Sequence, residues 1–219
     1  VNGKFKPLHM FNPIRIEYIL EKTSNHFKRK DSKFPLKGLK FLDIGCGGGL
    51  MSEPMSRLGA DVTGIDASLK NIKIAESHSK RNNLKIKYLN TSPEKFTESE
   101  KFDVILNLEI VEHVEDVDLY FKSCAKLLKK NGLMFTATLN RTFVSFIKAI
   151  IGAEYVLRWL PIGTHDWNKF LKPKEIEEKI YNLNFSIKEI CGLEFNPFNQ
   201  KWKVSKDLSV NYIITSVKN

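Results

Sequence analysis

Cysteine is scarce in the 219-residue chain: Cys46, Cys124 and Cys191 lie far apart, with no C-x-x-C pair. That excludes a zinc cluster and a disulfide framework, and fits a reducing compartment. No apolar run is long enough to span a bilayer, and no secretory leader is visible. Internal repeats and low-complexity linkers are also missing, so residues 1–219 read as one well-buried domain rather than two. Acidic residues are the scarcer charge, 25 against 35 Lys and Arg, for a net charge of +10 and a pI near 9.4. Such a balance suits an anionic partner, either nucleic acid or an acidic membrane surface, although lysine-rich solubility explains part of it. The interleaved basic and aromatic residues of a nucleic-acid groove are not seen, nor is an RNA-binding module.

What the chain does have is a glycine stretch, K-F-L-D-I-G-C-G-G-G from Lys40 to Gly49, followed by Leu50, Met51, Met55 and Leu58 at helical spacing. That order predicts a buried strand, a tight turn and a helix. Glycines such as Gly45 and Gly47 let backbone press against a ligand, and a turn here sits at the carboxyl end of a strand, where open α/β sheets bind. A second strand, Asp61 to Ile65, ends in Asp66, which is 66 − 43 = 23 positions after Asp43. In nucleotide-binding α/β folds an acid at that place takes ribose hydroxyls. The loop departs from the dinucleotide fingerprint, because Asp43 precedes it; a carboxylate there repels a pyrophosphate and suits a cationic ligand. A Rossmann dehydrogenase is the weaker alternative.

Alternating strands and helices predict a mostly parallel sheet with helices on both faces. Residues 1–39 form an N-terminal helical segment, whose helix is predicted to begin at Pro13 with Asn12 as cap after an irregular start. Arg15 then falls in the first turn, where a positive charge opposes the helix dipole; it reaches toward an anion such as a carboxylate, or is simply a surface arginine. Ser68 is expected to cap a helix running to about Asn82. Further strands are read at 86–90, 102–108, 133–139, 185–193 and 210–217, with Glu109-Ile110-Val111-Glu112-His113 directly after the fourth. Residues 140–172 break the alternation as a helical insertion carrying Phe143, Phe146, Ile147, Ile150 and Trp159 with Arg141, Lys148 and Arg158. An apolar, weakly basic segment of this kind lies in a membrane interface or packs as an amphipathic lid, and both can hold.

D-I-G-C-G-G-G and G-I-D resemble the first two motifs of class I S-adenosylmethionine-dependent methyltransferases. Together with F-K-P-L-H-M-F-N-P-I-R, E-I-V-E-H-V, T-L-N-R, G-A-E-Y-V-L-R-W-L-P-I-G-T-H-D-W and V-N-Y, they resemble the bacterial and mitochondrial ubiquinone-biosynthesis O-methyltransferases from one end of the chain to the other. The resemblance implies a Rossmann-like, mostly parallel seven-stranded sheet with the insertion after its fifth strand. It also implies further residues, aromatics included, before Phe5. S-adenosylmethionine is then expected on Arg15, Gly45, Asp66 and Leu108, the last an apolar contact for the adenine region. In the mitochondrial relatives E-x-x-E-H implies a divalent metal; the matching residues are Glu109, Glu112 and His113, two carboxylates and an imidazole that suit Mg or Zn. The competing reading of Glu112 and His113 is that they cap and pack the next helix.

Methyl transfer from a sulfonium to a phenol needs the phenol to lose its proton, to a base or on a metal. His113 and Glu112 are catalytic candidates, and His165 in G-T-H-D is a second base candidate; adjacent Asp166 cannot face it. The implied substrate is a polyprenylated quinol, met at an anionic membrane surface, with other ubiquinone-biosynthesis proteins as partners and no nucleic acid. The implied location is the cytoplasmic face of the bacterial inner membrane, or the mitochondrial matrix face. Two competing functions are an RNA methyltransferase, motivated by charge, and a non-catalytic subunit of a biosynthetic assembly, which the intact glycine loop and Asp66 argue against.

Overall fold

The computed structural model describes residues 6–29, 32–97, 101–147, 166–196 and 201–219. The elements are helices α1 (Lys6–His26), α2 (Ser52–Arg57), α3 (Leu69–Arg81), α4 (Val117–Leu127), the single turn α5 (Phe143–Ser145) and α6 (Pro173–Tyr181). The strands are β1 (Lys40–Ile44), β2 (Asp61–Asp66), β3 (Lys87–Asn90), β4 (Phe102–Leu108), β5 (Leu128–Leu139), β6 (Phe185–Asn196), β7 (Lys201–Ser205) and β8 (Asn211–Lys218). They form one sheet in the order β3-β2-β1-β4-β5-β8-β6-β7. β1 pairs in parallel with both β2 and β4, with Ile44 level with Ile65 and with Asn107.

Burial explains the strand sequences. Phe41, Leu42 and Ile44 of β1 are all buried, as expected for a parallel strand covered on both faces. Phe41, Val62, Val104 and Leu106 pack on one side with Tyr18 and Ile19 of α1. Leu42, Ile44, Ile65 and Ile105 pack on the other with Tyr120 and Phe121 of α4 and Ile176 and Ile180 of α6. Ser68 caps α3 as expected, its Oγ accepting from Asn71 N, and Asp116 caps α4, accepting from Leu119 N at 2.9 Å.

Three expectations need correction. The sheet has eight strands and not seven, because β6 runs on to Asn196 and β7 returns antiparallel beside it. Both members of that pair carry mostly partly exposed residues, so no buried apolar run announces β7. β5 starts at Leu128, several residues before the expected Leu133, with an irregular register against Phe102 and Val104. Finally, α1 begins at Lys6, so Pro13 lies inside the helix and Arg15 in its middle, away from the first turn. A proline there removes one backbone hydrogen bond, and tertiary contacts must hold the two sides of the helix together. Tyr18 supplies part of that grip through its hydroxyl, 2.8 Å from Thr215 Oγ1 and 3.2 Å from Glu189 Oε2.

One glycine of β2 is fixed by close approach. A Cβ on Gly64 would stand 2.7 Å from the Tyr88 ring and 3.0 Å from Cys46 Sγ. Tyr88 is buried beneath the glycine loop, so it cannot swing away cheaply. Gly64→Ala is expected to destabilise the fold by about 1–3 kcal/mol through overpacking. A thermal unfolding midpoint indistinguishable from the parent would contradict that crowding.

Candidate functional site

The strand order turns back between β1 and β4, which makes the crevice beyond their carboxyl ends the binding position of an open α/β sheet. Two segments meet there. After β1 comes the loop Gly45–Gly49; after β4 comes Glu109 and the 3-10 turn Val111–His113. They touch: a Cβ on Gly45 would lie 2.8 Å from Ile110 Cδ1. Gly45 N and Cys46 N both donate to Ile65 O, at 2.8 and 3.0 Å, which ties the loop to the end of β2. Gly47 has φ of +53° and no atom of the described residues within 4 Å of where a Cβ would stand. A left-handed residue facing open space is what close backbone contact with a ligand requires.

Asp66, at the end of β2, accepts from Gly47 N at 2.9 Å on one oxygen, and from Ser68 N at 2.8 Å and Asn71 Nδ2 at 3.2 Å on the other. The carboxylate is thus held at the edge of the glycine loop by protein donors. Leu108 closes β4 beside Ala137 and is partly buried against the core. Asp43 is different. It is buried behind the loop, with Ser52 Oγ donating to it at 2.6 Å. Burial raises its carboxyl from 3.8 to about 6, Ser52 lowering it and Asp66 adding to the rise. Asp43 therefore braces the loop from behind through Ser52, a partner that the sequence pattern did not single out.

The acidic turn is built on a buried ion pair. Arg15, 3% exposed, donates through Nη2 to Glu109 Oε1. Its guanidinium also lies over the Phe11 ring, 3.9 Å from ring carbon centroid to Cζ. Burial lowers the Arg15 pKa, and the Glu109 carboxylate opposes that shift. Glu109 itself has φ of +54°, and its N–H donates to Ala137 O at 2.9 Å. Three positions on, Glu112 is buried and accepts from Thr138 Oγ1 at 2.8 Å, while its Oε1 has no partner among the described residues. Burial first, and then the Glu109 carboxylate, push Glu112 up to about 8, so it holds its proton at neutral pH. Thr138, on the neighbouring strand β5, is a second functional contact that sequence reading missed; a threonine in a buried strand gives no signal of its own.

The sequence grouped Glu109, Glu112 and His113 as ligands for Mg or Zn. The structure does not assemble that set: among the described residues no three His, Cys, Asp or Glu side chains stand where they could share an ion. Arg15 holds Glu109, Thr138 holds Glu112, and His113 is exposed at the rim while Glu112 is buried. Arg15, Gly45, Gly47, Asp66, Leu108, Glu109 and Glu112 do gather around one crevice, with Asp43 behind it. His165 and most of the insertion lie outside the described residues.

Residues 42–136 match the methyltransferase domain family. Over 218 residues the chain is 60% identical to a ubiquinone biosynthesis O-methyltransferase of Pelagibacter ubique (strain HTCC1062), covering all of this chain and 91% of that one. The chain belongs to the ubiquinone biosynthesis O-methyltransferases. A relative of the same name from Bartonella tribocorum is 53% identical over 97% of this chain and 87% of its own. Among solved structures, the magnesium protoporphyrin IX methyltransferase of Synechocystis PCC 6803 with bound SAM has the same fold, with TM-score 0.67 at 16% identity over 100% of this chain and 85% of that one. The plantazolicin methyltransferase BamL has TM-score 0.71 at 18% identity, over 94% and 84%.

Asp43 gives the site a pH signature. Its folded pKa lies above its unfolded one, so its contribution to stability is present below about pH 3.8 and is lost as pH rises through about 6. At pH 8 the buried carboxylate is a cost that Asp43→Asn removes. The variant is expected to gain on the parent by about 1–3 kcal/mol between pH 4 and pH 8. Unfolding midpoints of the two proteins measured side by side across that range check it; a constant difference would refute the buried titration.

Proposed function

We propose that the chain is an S-adenosylmethionine-dependent O-methyltransferase acting on a quinol-type substrate of ubiquinone biosynthesis, and not on nucleic acid. The observation that carries this is likeness along the whole chain to ubiquinone biosynthesis O-methyltransferases, 60% identity over 218 residues. The residues at the crevice fit the methyl donor: an open, left-handed Gly47, a carboxylate at the end of β2, an apolar Leu108, and a buried guanidinium, Arg15, whose Nε has no partner among the described residues. In this reading Arg15 takes the donor's carboxylate, Asp66 its ribose hydroxyls and Leu108 its adenine. Bound there, the donor supplies a methyl group on a positively charged sulfur.

The acceptor is a catechol-type polyprenylated intermediate, demethylubiquinol or the earlier polyprenyl-benzenediol. Its hydroxyl must lose a proton as it attacks. In this reading His113, exposed on the turn after β4, takes it, with His165 as the second candidate. Glu112, neutral and buried at that turn, fixes the turn through Thr138 and adds no negative charge beside the oxygen that must ionise. The expected outcome is methyl transfer to a short-chain demethylubiquinol and none to RNA, followed by product mass. Asp66→Ala should weaken donor binding by about 1–3 kcal/mol, the cost of unpaired polar groups, and titration calorimetry reads it directly. Unaltered affinity would remove Asp66 from the ribose.

We further propose that the start of the insertion meets the membrane where the polyprenyl tail resides. Among the described residues no helix is long and apolar enough to cross a bilayer. Phe143 is 74% exposed, Ile147 43% and Phe146 37%, a cluster of large apolar side chains in water. Phe146 also meets Trp167 edge-on at 6.3 Å, so the segment is part lid. Arg141 is not free to meet lipid, as the sequence had suggested; it pairs with Glu175 and donates to Phe170 O at 3.1 Å. Attraction to anionic lipid then falls to other basic residues, at about 1 kcal/mol for each one near the surface. Phe143, Phe146 and Ile147 changed together to Ser are expected to lose most co-sedimentation with anionic liposomes while keeping turnover of a water-soluble catechol. Liposome binding equal to the parent would return the segment to a packed lid.

A further inference from the structure

The additional strand β7 stands where it can act on the site. β6 runs parallel to β5, since both pair antiparallel with β8, so β6 ends on the same side of the sheet as the glycine loop. Beyond Cys191, where its pairing with β8 ends, β6 continues with β7 as a two-stranded ribbon. Phe195 and Trp202 face each other across that ribbon, ring centroids 5.3 Å apart. Trp202 then packs on Phe11 of α1 at 4.4 Å, and Phe11 lies under the Arg15 guanidinium at 3.9 Å. Phe11 and Arg15 are four positions apart on one helix face, with Pro13 between them. The proline removes a backbone bond at that point of α1, so packing from outside must fix the turn that carries Arg15. Trp202 Nε1 is buried with no hydrogen-bond partner among the described residues, and the ring serves as a packing surface.

We infer that Phe11 and Trp202 are positioning residues: the β6–β7 ribbon holds the Arg15 guanidinium in the crevice, and so sets affinity for the methyl donor through an aromatic stack. This rests on the assignment of Arg15 to the donor carboxylate. The stack fixes a cation that must leave or share Glu109 when a carboxylate arrives. A flat ring face lets the guanidinium slide between anions without losing its apolar and cation–π support. A hydrogen-bonded support would have to break instead.

The test compares Arg15→Ala, Phe11→Leu and Trp202→Leu, the leucines keeping apolar bulk without a π face. Donor binding is read by calorimetry with S-adenosylmethionine, and folding by the unfolding midpoint. Phe11→Leu is expected to weaken binding roughly five- to thirtyfold, the range from an exposed to a desolvated cation–π contact, and Trp202→Leu, which acts through Phe11, by a smaller factor in the same direction. KM for the donor should rise in step, with kcat and the quinol KM unchanged, a split that general loosening of the fold would not produce. In a chain carrying Trp159→Phe and Trp167→Phe, Trp202 fluorescence should change on adding S-adenosylhomocysteine. If Arg15→Ala loses the donor while both leucine variants bind it as the parent does, the stack has no positioning role and the inference is overturned. If Arg15→Ala also binds as the parent does, the assignment of Arg15 itself falls, and the inference with it. Should Trp202→Leu fail to fold, Phe11→Leu decides alone.

Discussion

Everything in the crevice depends on the parallel pairing of β1 with β4. Because the strand order turns back there, the two loops leaving those strands part to opposite sides of the sheet and leave a gap between them. The register is tight, Ile44 beside Asn107, and both faces are buried, so a slip of one residue would turn Phe41 and Leu42 to the wrong cores. The glycine loop and the acidic turn are thereby delivered to contact at Gly45 and Ile110. The site is a product of sheet register, and the loops have only to be shaped to use it.

The charges in the gap run against the charge of the chain. The protein carries +10, yet acids crowd the ends of its central strands: Asp43 and Asp66 near each other at the glycine loop, Glu109 and Glu112 at the turn with buried Arg15. Such crowding is tolerable only if some of the acids are neutral or paired. Glu112 takes the first route, since its own burial and Glu109 keep its proton on. Glu109 takes the second, through Arg15. Under the proposed assignment, what remains is an acidic surround for a ligand that carries a sulfonium and an ammonium, with the Arg15 guanidinium for its carboxylate. A buried ion pair is weak evidence of stability, because desolvation offsets most of the attraction. Here its worth lies in keeping a cation ready in a place that would otherwise expel it.

Much of this was legible in the sequence where the signal is local. Gly45 to Gly49, Asp66 and the Ser68 cap depend on backbone conformation and neighbours within a few residues, and the structure places each as read. The direction of Arg15 toward a carboxylate was also read, though for a reason that fails: it was placed in a first turn, and lies in mid-helix because α1 begins upstream of Pro13. The misreadings have a common origin in tertiary contact. A helix that runs through a proline needs partners far along the chain, here Glu189, Trp202 and Thr215. β7 is short and partly exposed, so periodicity cannot reveal it. The grouping of Glu109, Glu112 and His113 took spacing for convergence; which way each side chain turns is decided by Arg15 and Thr138, which lie 94 and 26 positions away from their partners.

The insertion and the ribbon share a base, which bears on how a lipid-tailed substrate reaches the gap. Asn140 donates to Leu208 O at 2.8 Å, Asn140 N to Val210 O at 2.9 Å, and Thr142 to Ser209 O. The segment 208–210 joins β7 to β8, so the start of the insertion and the end of the ribbon are pinned to one stretch of backbone. That stretch lies at the same end of the sheet as the crevice, since Asn211 is level with Leu139 at the close of β5. Exposed Phe143 and Ile147 therefore follow β5 at the end of the sheet where the glycine loop lies, and the Phe195–Trp202 pair lies in the ribbon beyond β8 at that same end. Under the proposed membrane role, exposed apolar side chains at that end suit a substrate whose head carries the reacting hydroxyl and whose tail stays in lipid. The methyl donor needs no such margin: under the proposed assignment its charged amino-acid end is met by Arg15 and its ribose by Asp66.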